Sequence, residues 1–431
     1  MILRLSTRAE RGVILLAAMA AAAVLSFFSV RNACAVYFSG LETRYGYIRA
    51  IELEPDDARN WFLLGRYWQY NLDESDGRQA IIAYRKSLSI DPHSAQTWAD
   101  LATAYESEGD IRSARDAFVA AKRAYPLSAD VSWRYGNFLL RQGEFDSAFA
   151  EIHHAVEADP RRGAEAFSRC IRFEPDIQVV LDRVIPPFPH VYADIMNDLA
   201  ANGRTDDALK VWQRLVDLDR QIPIQEVFPL VDALRRKNLI PEAYRVWTRS
   251  ASLAGISVQP VSPGSTLWDG GFESSVTGGA YGWTIPPDVH GVQSRIDSQE
   301  KHSGGHSLRM SFDGKSNVNY SGACITVPVQ PSGSYVFTAW VHTRGVTTDQ
   351  GIRFQIRPLG SLDSSSALTP DFRGNMPWTQ IQLPWMSGPG IQEAQICLLR
   401  NPSGQPDNRI QGQIWVDDLA LTPQFAENSH P

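Results

Sequence analysis

The sequence predicts a multidomain α + β chain: an all-α solenoid of helix hairpins, then an all-β sandwich, with one transmembrane helix at the N-terminus. Three observations carry this. Pro92, Pro126 and Pro160 lie 34 residues apart, with the residues between them recurring at the same offsets. Gly12 to Val30 is a 19-residue run without a charge. From Ser262 onward Gly, Ser and Pro rise, and helical stripes give way to short alternating runs.

The chain has 431 residues, 43% of them hydrophobic and 21% charged, which suits a globular protein of more than one core. Its formal net charge is -7, and its basic residues occur as short pairs such as Arg161-Arg162 and Arg235-Arg236. Phosphate binding needs clustered Lys and Arg, so nucleic acid is not among the expected partners.

The apolar run, as a helix, spans roughly 28 Å, close to the hydrocarbon thickness of a bilayer. Arg4, Arg8 and Arg11 precede it, opposed only by Glu10. The positive-inside rule puts residues 1–11 in the cytoplasm and everything after Arg31 outside. A cleaved signal segment is the competing reading, because Ala33 and Ala35 occupy the two small-residue positions of a cleavage site. The first reading is a single-pass protein of the bacterial inner membrane with a periplasmic body; the second is a secreted protein. Arg31-Asn32-Ala33 before Cys34 is a poor lipidation context.

The solenoid is expected over residues 41–254. Trp98, Leu101, Ala102 and Tyr105 fall at i, i+3, i+4 and i+7, one apolar stripe of a first helix. Gly109-Asp110 turns the chain, and Ala114, Phe118 and Ala121 stripe the second helix. Tyr135, Gly136, Leu139, Gly143, Ala148, Ile152 and Ala155 repeat those offsets. The small residues Ala102, Ala114, Gly136 and Ala148 stand where paired helices approach closely. An earlier unit runs from Trp61, Leu64 and Gly65 to Ala80 and Tyr84, with Asn71 to Gly77 as a solvated turn. Tyr47, Ala50 and Pro55 end a half repeat before it. Two later units carry Tyr192 to Leu215 and Val227 to Trp247. Between Arg161 and Pro189 the offsets fail, and Ile185-Pro186-Pro187-Phe188-Pro189 cannot continue a helix, so a degenerate hairpin with a bend is expected there.

This array resembles tetratricopeptide proteins, whose stacked hairpins leave a concave groove suited to a peptide or a partner helix. The resemblance implies a protein partner, with Arg66, Tyr70, Asp100, Glu106, Arg134 and Asn137 as groove candidates. The bland reading of each is a solvated polar position. His153 and His154 are adjacent, so they do not share a helix face for a metal.

Val258 to Gly264, within the segment 255–265, reads as a linker with two prolines. Ser307 to Phe312, Ala323 to Val329, Tyr335 to His342, Ile352 to Arg357, Thr379 to Leu383, Ala394 to Leu399 and Gln413 to Leu421 read as strands. That density of short strands indicates a two-sheet sandwich or jelly roll over residues 266–423, followed by a tail, 424–431. Trp268-Asp269-Gly270-Gly271-Phe272-Glu273, Gly282-Trp283, His302-Ser303-Gly304-Gly305-His306-Ser307-Leu308-Arg309, Tyr335 to Val341 and Ile414-Trp415-Val416-Asp417-Asp418-Leu419 follow one another as in the jelly-roll carbohydrate-binding modules of families 4 and 9, which the segment resembles.

The resemblance implies a structural calcium site of Glu273 and Asp417, with Asp418 as neighbour and a backbone carbonyl near Gly305. Two solvated acids at strand ends are the alternative. It also implies glycan binding by aromatic stacking, for which Trp283, Tyr320, Trp378 and Trp385 are candidates because they stand near turns; for each, a core or rim role competes. Trp340 and Trp415 are mid-strand and read as core. Cys324 and Cys397 either form a bridge in an oxidising compartment or pack as free thiols, and Cys170 has no evident partner.

No nucleophile elbow, phosphate loop, Cys-x-x-Cys or His-Glu-x-x-His pattern is present, and Asp417-Asp418 alternate across a strand, which separates them as an acid–base pair. The expectation is therefore no enzyme. The whole resembles bacterial envelope proteins that join an anchor, a tetratricopeptide array and a carbohydrate-binding-like sandwich, which implies a scaffold in exopolysaccharide or O-antigen assembly or export. A protein-interaction adaptor with a structural sandwich is the second reading, and a glycan-processing hydrolase the third.

Overall fold

The computed structural model describes residues 8–424 except 258, 259, 261, 275–277, 287, 289 and 361–365. Arg4, the final stretch 425–431, and Val258 and Val261 of the expected linker lie outside the described residues. The chain divides into two compact units, Met1–Pro186 and Pro187–Pro431. The divide falls between two adjacent prolines, neither of which can donate a backbone N–H to a continuing helix.

The first unit is helical: α1 (Arg8–Ser39), α2 (Arg44–Leu53), α3 (Ala58–Tyr70), α4 (Gly77–Ile90), α5 (Ala95–Ser107), α6 (Ile111–Ala124), α7 (Ala129–Arg141), α8 (Phe145–Ala158), α9 (Gly163–Cys170) and α10 (Ile177–Val184). In α1, Gly12–Ser39 is long and apolar enough to cross a membrane. Within it Arg31 forms a bidentate ion pair with Glu54 at 2.9 Å.

The hairpins form where the repeat pattern places them, and their ends explain the pattern. Asp57, Asp76, Ser94, Asp110 and Ser128 each accept a backbone N–H from the first turn of the helix they precede. Trp61 and Trp98 donate their indole N–H to the carbonyls of Pro55 and Pro92 at 3.0 and 2.9 Å. The first-helix tryptophan thus hooks onto the proline that ended the repeat before. Close approach is real at Gly65, where an added Cβ would lie 2.6 Å from the Tyr84 ring, and at Gly136, where it would lie 2.6 Å from Ile152. The irregular stretch after Pro160 is a 3-10 turn, Pro160–Arg162, followed by the two short helices α9 and α10.

The second unit begins with two hairpins, α11 (Pro189–Ala201) with α12 (Thr205–Asp217), and α13 (Phe228–Arg236) with α14 (Ile240–Leu253). A β-sandwich follows: β1 (Val292–Asp297), β2 (Ser307–Asp313), β3 (Tyr320–Pro328), β4 (Ser334–Thr347), β5 (Arg353–Leu359), β6 (Ala367–Leu368), β7 (Gly374–Met386), β8 (Glu393–Arg400) and β9 (Gln411–Pro423). Antiparallel sheets run in the orders β1-β2-β9-β4-β7 and β3-β8-β5-β6. β1 and the two-residue β6 had no strand expectation, because Val292 to Asp297 offers only Val292 and Ile296 as apolar residues. The opening motif packs on the closing strand: a Cβ on Gly270 would stand 1.8 Å from the Leu419 carbonyl oxygen, so only glycine fits.

Strand β4 shows how the sandwich sorts its side chains. Tyr335, Phe337, Ala339 and Val341 are buried between the sheets, while Val336, Thr338, Trp340 and His342 alternate onto the outer face, half-buried. Arg400 is fully buried. Its guanidinium donates to the carbonyls of Gln350 and Asn408 at 2.9 and 2.7 Å and to that of Val318, pinning three loops at one end of the sandwich.

Candidate functional site

Directly opposed residues of neighbouring strands point to the same face. β4 pairs Trp340 with Gln380 and Thr338 with Gln382 on β7, and His342 with Trp415 on β9; β9 in turn pairs Trp415 with Arg309 on β2. One outer face of the five-stranded sheet therefore gathers Trp340, His342, Trp378, Trp415, Arg309, Gln380 and Gln382. His302, from the turn before β2, stacks flat on Trp340, with ring centroids 3.8 Å apart at 13°. Trp378 stands against His302 at 5.8 Å and His342 at 5.6 Å. His342 stacks on Trp415 at 5.0 Å, and Arg344 lies 5.0 Å over the same indole. Beneath, Asp297 accepts from the Trp415 indole at 2.9 Å and pairs with Arg309 at 3.1 Å. Asp297 is held below its ordinary range by these bonds, which outweigh a burial effect in the opposite sense. The result is a half-open patch of Trp340, His342 and Trp378, edged by amides and guanidiniums, with Trp415 buried beneath it at 2% exposure.

Of the four aromatic candidates, only Trp378 belongs to this patch. Trp283 is 1% exposed, packs on Phe272 and donates to the Asp269 carbonyl at 2.9 Å. Tyr320 is 2% exposed with its hydroxyl 3.2 Å from that of Ser294, and Trp385 is 6% exposed beside Tyr335. These three are corrected to interior positions, since a buried ring has no face to offer a sugar. Nearness to a turn in sequence does not expose these rings, because each is covered by its own neighbours, Phe272, Ser294 and Tyr335 among them. Trp340, read as core, is instead on the outer face. The signal was present in the strict alternation of β4, which sends Trp340 and His342 to the side opposite Phe337 and Val341.

The acids expected around calcium converge on the turn 302–306, but from opposite sides. Asp417 accepts the backbone N–H groups of His302 and Ser303 at 2.8 and 3.1 Å. Asp418 accepts the Ser303 hydroxyl at 2.7 Å and pairs with the His302 ring at 2.6 Å. Glu273 accepts the N–H of Gly305 at 2.6 Å and pairs with His306 at 3.0 Å. Strict alternation separates Asp417 from Asp418, whereas here β9 bulges, with Asp418 at φ 49°, and both carboxylates reach the same turn.

Donors rather than further oxygens face these acids, and among the described residues no group of three or more metal-ligating side chains converges. In this arrangement the residues do not fit a calcium ion; they fasten the turn that carries His302. Burial, reinforced by Asp418, pushes the Asp417 carboxyl up to about 6 despite the N–H groups it accepts. Glu273 is held low by the Gly305 N–H and His306, against a burial effect that raises it.

In the helical unit the groove candidates sit on neighbouring first helices and tie them together. Asp100, 4% exposed, pairs with Arg134 at 2.7 Å, and Arg134 also donates to the Ala99 carbonyl at 3.1 Å. Burial raises the Asp100 carboxyl, with Arg134 opposing. Glu106 pairs with Arg141 at 2.7 Å, and Asn137 accepts from Arg169 at 2.8 Å. Trp133 lies between the guanidiniums of Arg162 and Arg169 at 5.5 and 5.1 Å. Asp100 and Asn137 are thus corrected from open groove groups to buried cross-hairpin ties. Arg66 and Tyr70 are exposed, stacked on each other at 5.7 Å. A cleft of about 380 Å³ opens beside Asn137, Leu140, Arg141, Arg169 and Arg172.

Cys324 and Cys397 are opposed residues of β3 and β8 and form a disulfide. Cys170 is buried as a free thiol, pushed up to about 12 by that burial.

The family model of the tetratricopeptide repeat matches residues 99–162. A comparison with curated proteins finds no match. Among solved structures, the chain is similar to MamA, with 19% identity, a TM-score of 0.26, and 40% of this chain and 85% of that one covered. It is similar to YrrB, described as a TPR protein with an unusual peptide-binding site, at 17% identity and TM-score 0.25, covering 48% and 92%. It is also similar to a family 16 carbohydrate-binding module, at 14% identity and TM-score 0.27, covering 36% and 99%. At these values the likenesses carry no argument about function.

Proposed function

We propose that this chain is a non-enzymatic scaffold of the bacterial cell envelope. In this reading α1 anchors it in the inner membrane and the helical hairpins take a protein partner. The sandwich holds a glycan during exopolysaccharide or O-antigen assembly or export. The observation that supports the glycan role is the outer face of the five-stranded sheet. Trp378 offers an indole face to the C–H side of a pyranose, and the exposed Gln380, Gln382 and Arg344 of the same face serve as hydroxyl partners.

The test is affinity electrophoresis of the detergent-solubilised full chain through gels cast with envelope and secreted polysaccharides, with calcium and with chelator. Retardation by at least one polysaccharide is expected, and Trp378→Ala reduces it. Chelator-sensitive retardation would require the 302–306 turn to rearrange around an ion. Unretarded migration in every gel sinks the glycan role. A second reading, an adaptor whose sandwich is structural, draws support from the tie between Arg235 of α13 and Glu393 of β8. Partner capture by a chain that no glycan retards favours it.

A further inference from the structure

The last helical hairpin meets the sandwich with residues at repeat positions that, in the first unit, border a cleft. Counting from Ala102, Gly136 and Val231, the positions of Ala99, Thr103 and Glu106 on α5 are those of Trp133, Asn137 and Leu140 on α7. On α13 they are Phe228, Asp232 and Arg235. In the first unit Asn137 and Leu140, both largely buried themselves, border a cleft. On α13 two of these positions, Phe228 and Arg235, meet the sandwich, while the Asp232 side chain stays 50% exposed. The Phe228 ring lies so close to Gly279 that a Cβ there would stand 3.1 Å from it. Arg235 grips Glu393 with three hydrogen bonds, Nε to Oε1 at 2.9 Å and Nε and Nη2 to Oε2 at 3.2 Å, and lies 5.6 Å over the Tyr281 ring. The Glu393 side chain is only 8% exposed. From α14, Trp247 is fully buried, with Trp268 at 5.1 Å and Tyr281 at 6.0 Å.

Chemically this is what a groove does with a bound peptide: a guanidinium takes a carboxylate in bidentate fashion, and an aromatic ring takes a residue small enough to let the backbone in. We propose that the sandwich is the resident ligand of the last hairpin, an intramolecular groove complex of Arg235 with Glu393 and Phe228 with Gly279. It fixes the sandwich on α13–α14 and occupies the Phe228 and Arg235 positions.

The test is amide hydrogen exchange on the full chain, comparing Arg235→Glu, Glu393→Arg and the double charge swap, with Phe228→Ala as an uncharged disruption. Each single variant is expected to lower protection of α13, α14 and residues 278–284 by at least about tenfold, because a desolvated charge loses its partner. β2, β4 and β9 keep their protection, and the double swap restores most of what was lost. Unchanged protection in the single variants overturns the proposal, as does a double swap no better than its parents. Loss spread evenly over β2, β4 and β9 also overturns it, because the contact would then be a general determinant of the fold and not a separable complex.

Discussion

Replacing Gly65 by alanine separates two effects of opposite sign. In a helix interior, Gly→Ala ordinarily stabilises by about 0.8–1.0 kcal/mol through backbone entropy. Here the new methyl would meet Cδ1 and Cε1 of Tyr84 at 2.6 Å and Cγ at 3.1 Å. Tyr84 is fully buried, and its hydroxyl is held by Gln69 at 2.6 Å, so the ring cannot swing aside without losing that bond. Overpacking of this kind costs about 1–3 kcal/mol. The balance is a destabilisation of about 0–2 kcal/mol, a fall of up to about 6 °C in the melting of the helical unit. Thermal unfolding of the solubilised chain by circular dichroism measures it. Combining Gly65→Ala with Tyr84→Leu removes the obstacle, and in that background the alanine is expected to stabilise. A rise in Tm for Gly65→Ala alone would refute the claim that α3 and α4 approach through this glycine. Gly109→Ala, at φ 82° with nothing within 4 Å, is the control that costs backbone strain only.

Two further perturbations act on the sandwich. Reducing Cys324–Cys397, which are 73 residues apart, removes about 4 kcal/mol on the chain-entropy account and should lower its melting by roughly 10 °C while leaving α3–α8 unchanged; equal loss in both units would contradict this. Asp269 and Asp417 are both pushed up to about 6 by burial, from an ordinary 3.8. Between those values the folded chain binds more protons than the unfolded one, so this contribution to stability grows as pH falls from 7 through 6 and is complete below 3.8. Glu273 and Asp297, held low, act in reverse and withdraw stability below about pH 4. The urea midpoint of the sandwich is therefore expected to be higher at pH 5 than at pH 7, with a smaller difference in Asp417→Asn. A lower midpoint at pH 5 would contradict the direction.

Much of the helical fold was legible because its physics is local and periodic. Trp98, Leu101, Ala102 and Tyr105 could be linked by spacing, since i, i+3, i+4 and i+7 share one helix face, while the bond from the Trp98 indole to the Pro92 carbonyl came only with the structure. Gly136 and Ala148 could be linked by size, since helices packed this closely admit nothing larger. The short helices after Pro160 broke that period, and only their failure to fit could be read. The candidate site was less legible. Proximity to turns nominated Trp283, Tyr320 and Trp385, which the closing sheets bury, and mid-strand placement hid Trp340, which the alternation of β4 turns outward.

The sequence by itself determined the order of architectures, the repeat period, the seven longer strands and the apolar length of α1, all properties of residues near one another in the chain. Tertiary structure decided which aromatic rings share a face. That depends on cross-strand register, on the bulge at Asp418 that turns two consecutive acids to one loop, and on the His302 turn that this loop lays over Trp340. It also decided that α13 faces the sandwich, because Arg235 and Glu393 are 158 residues apart and no local pattern couples them.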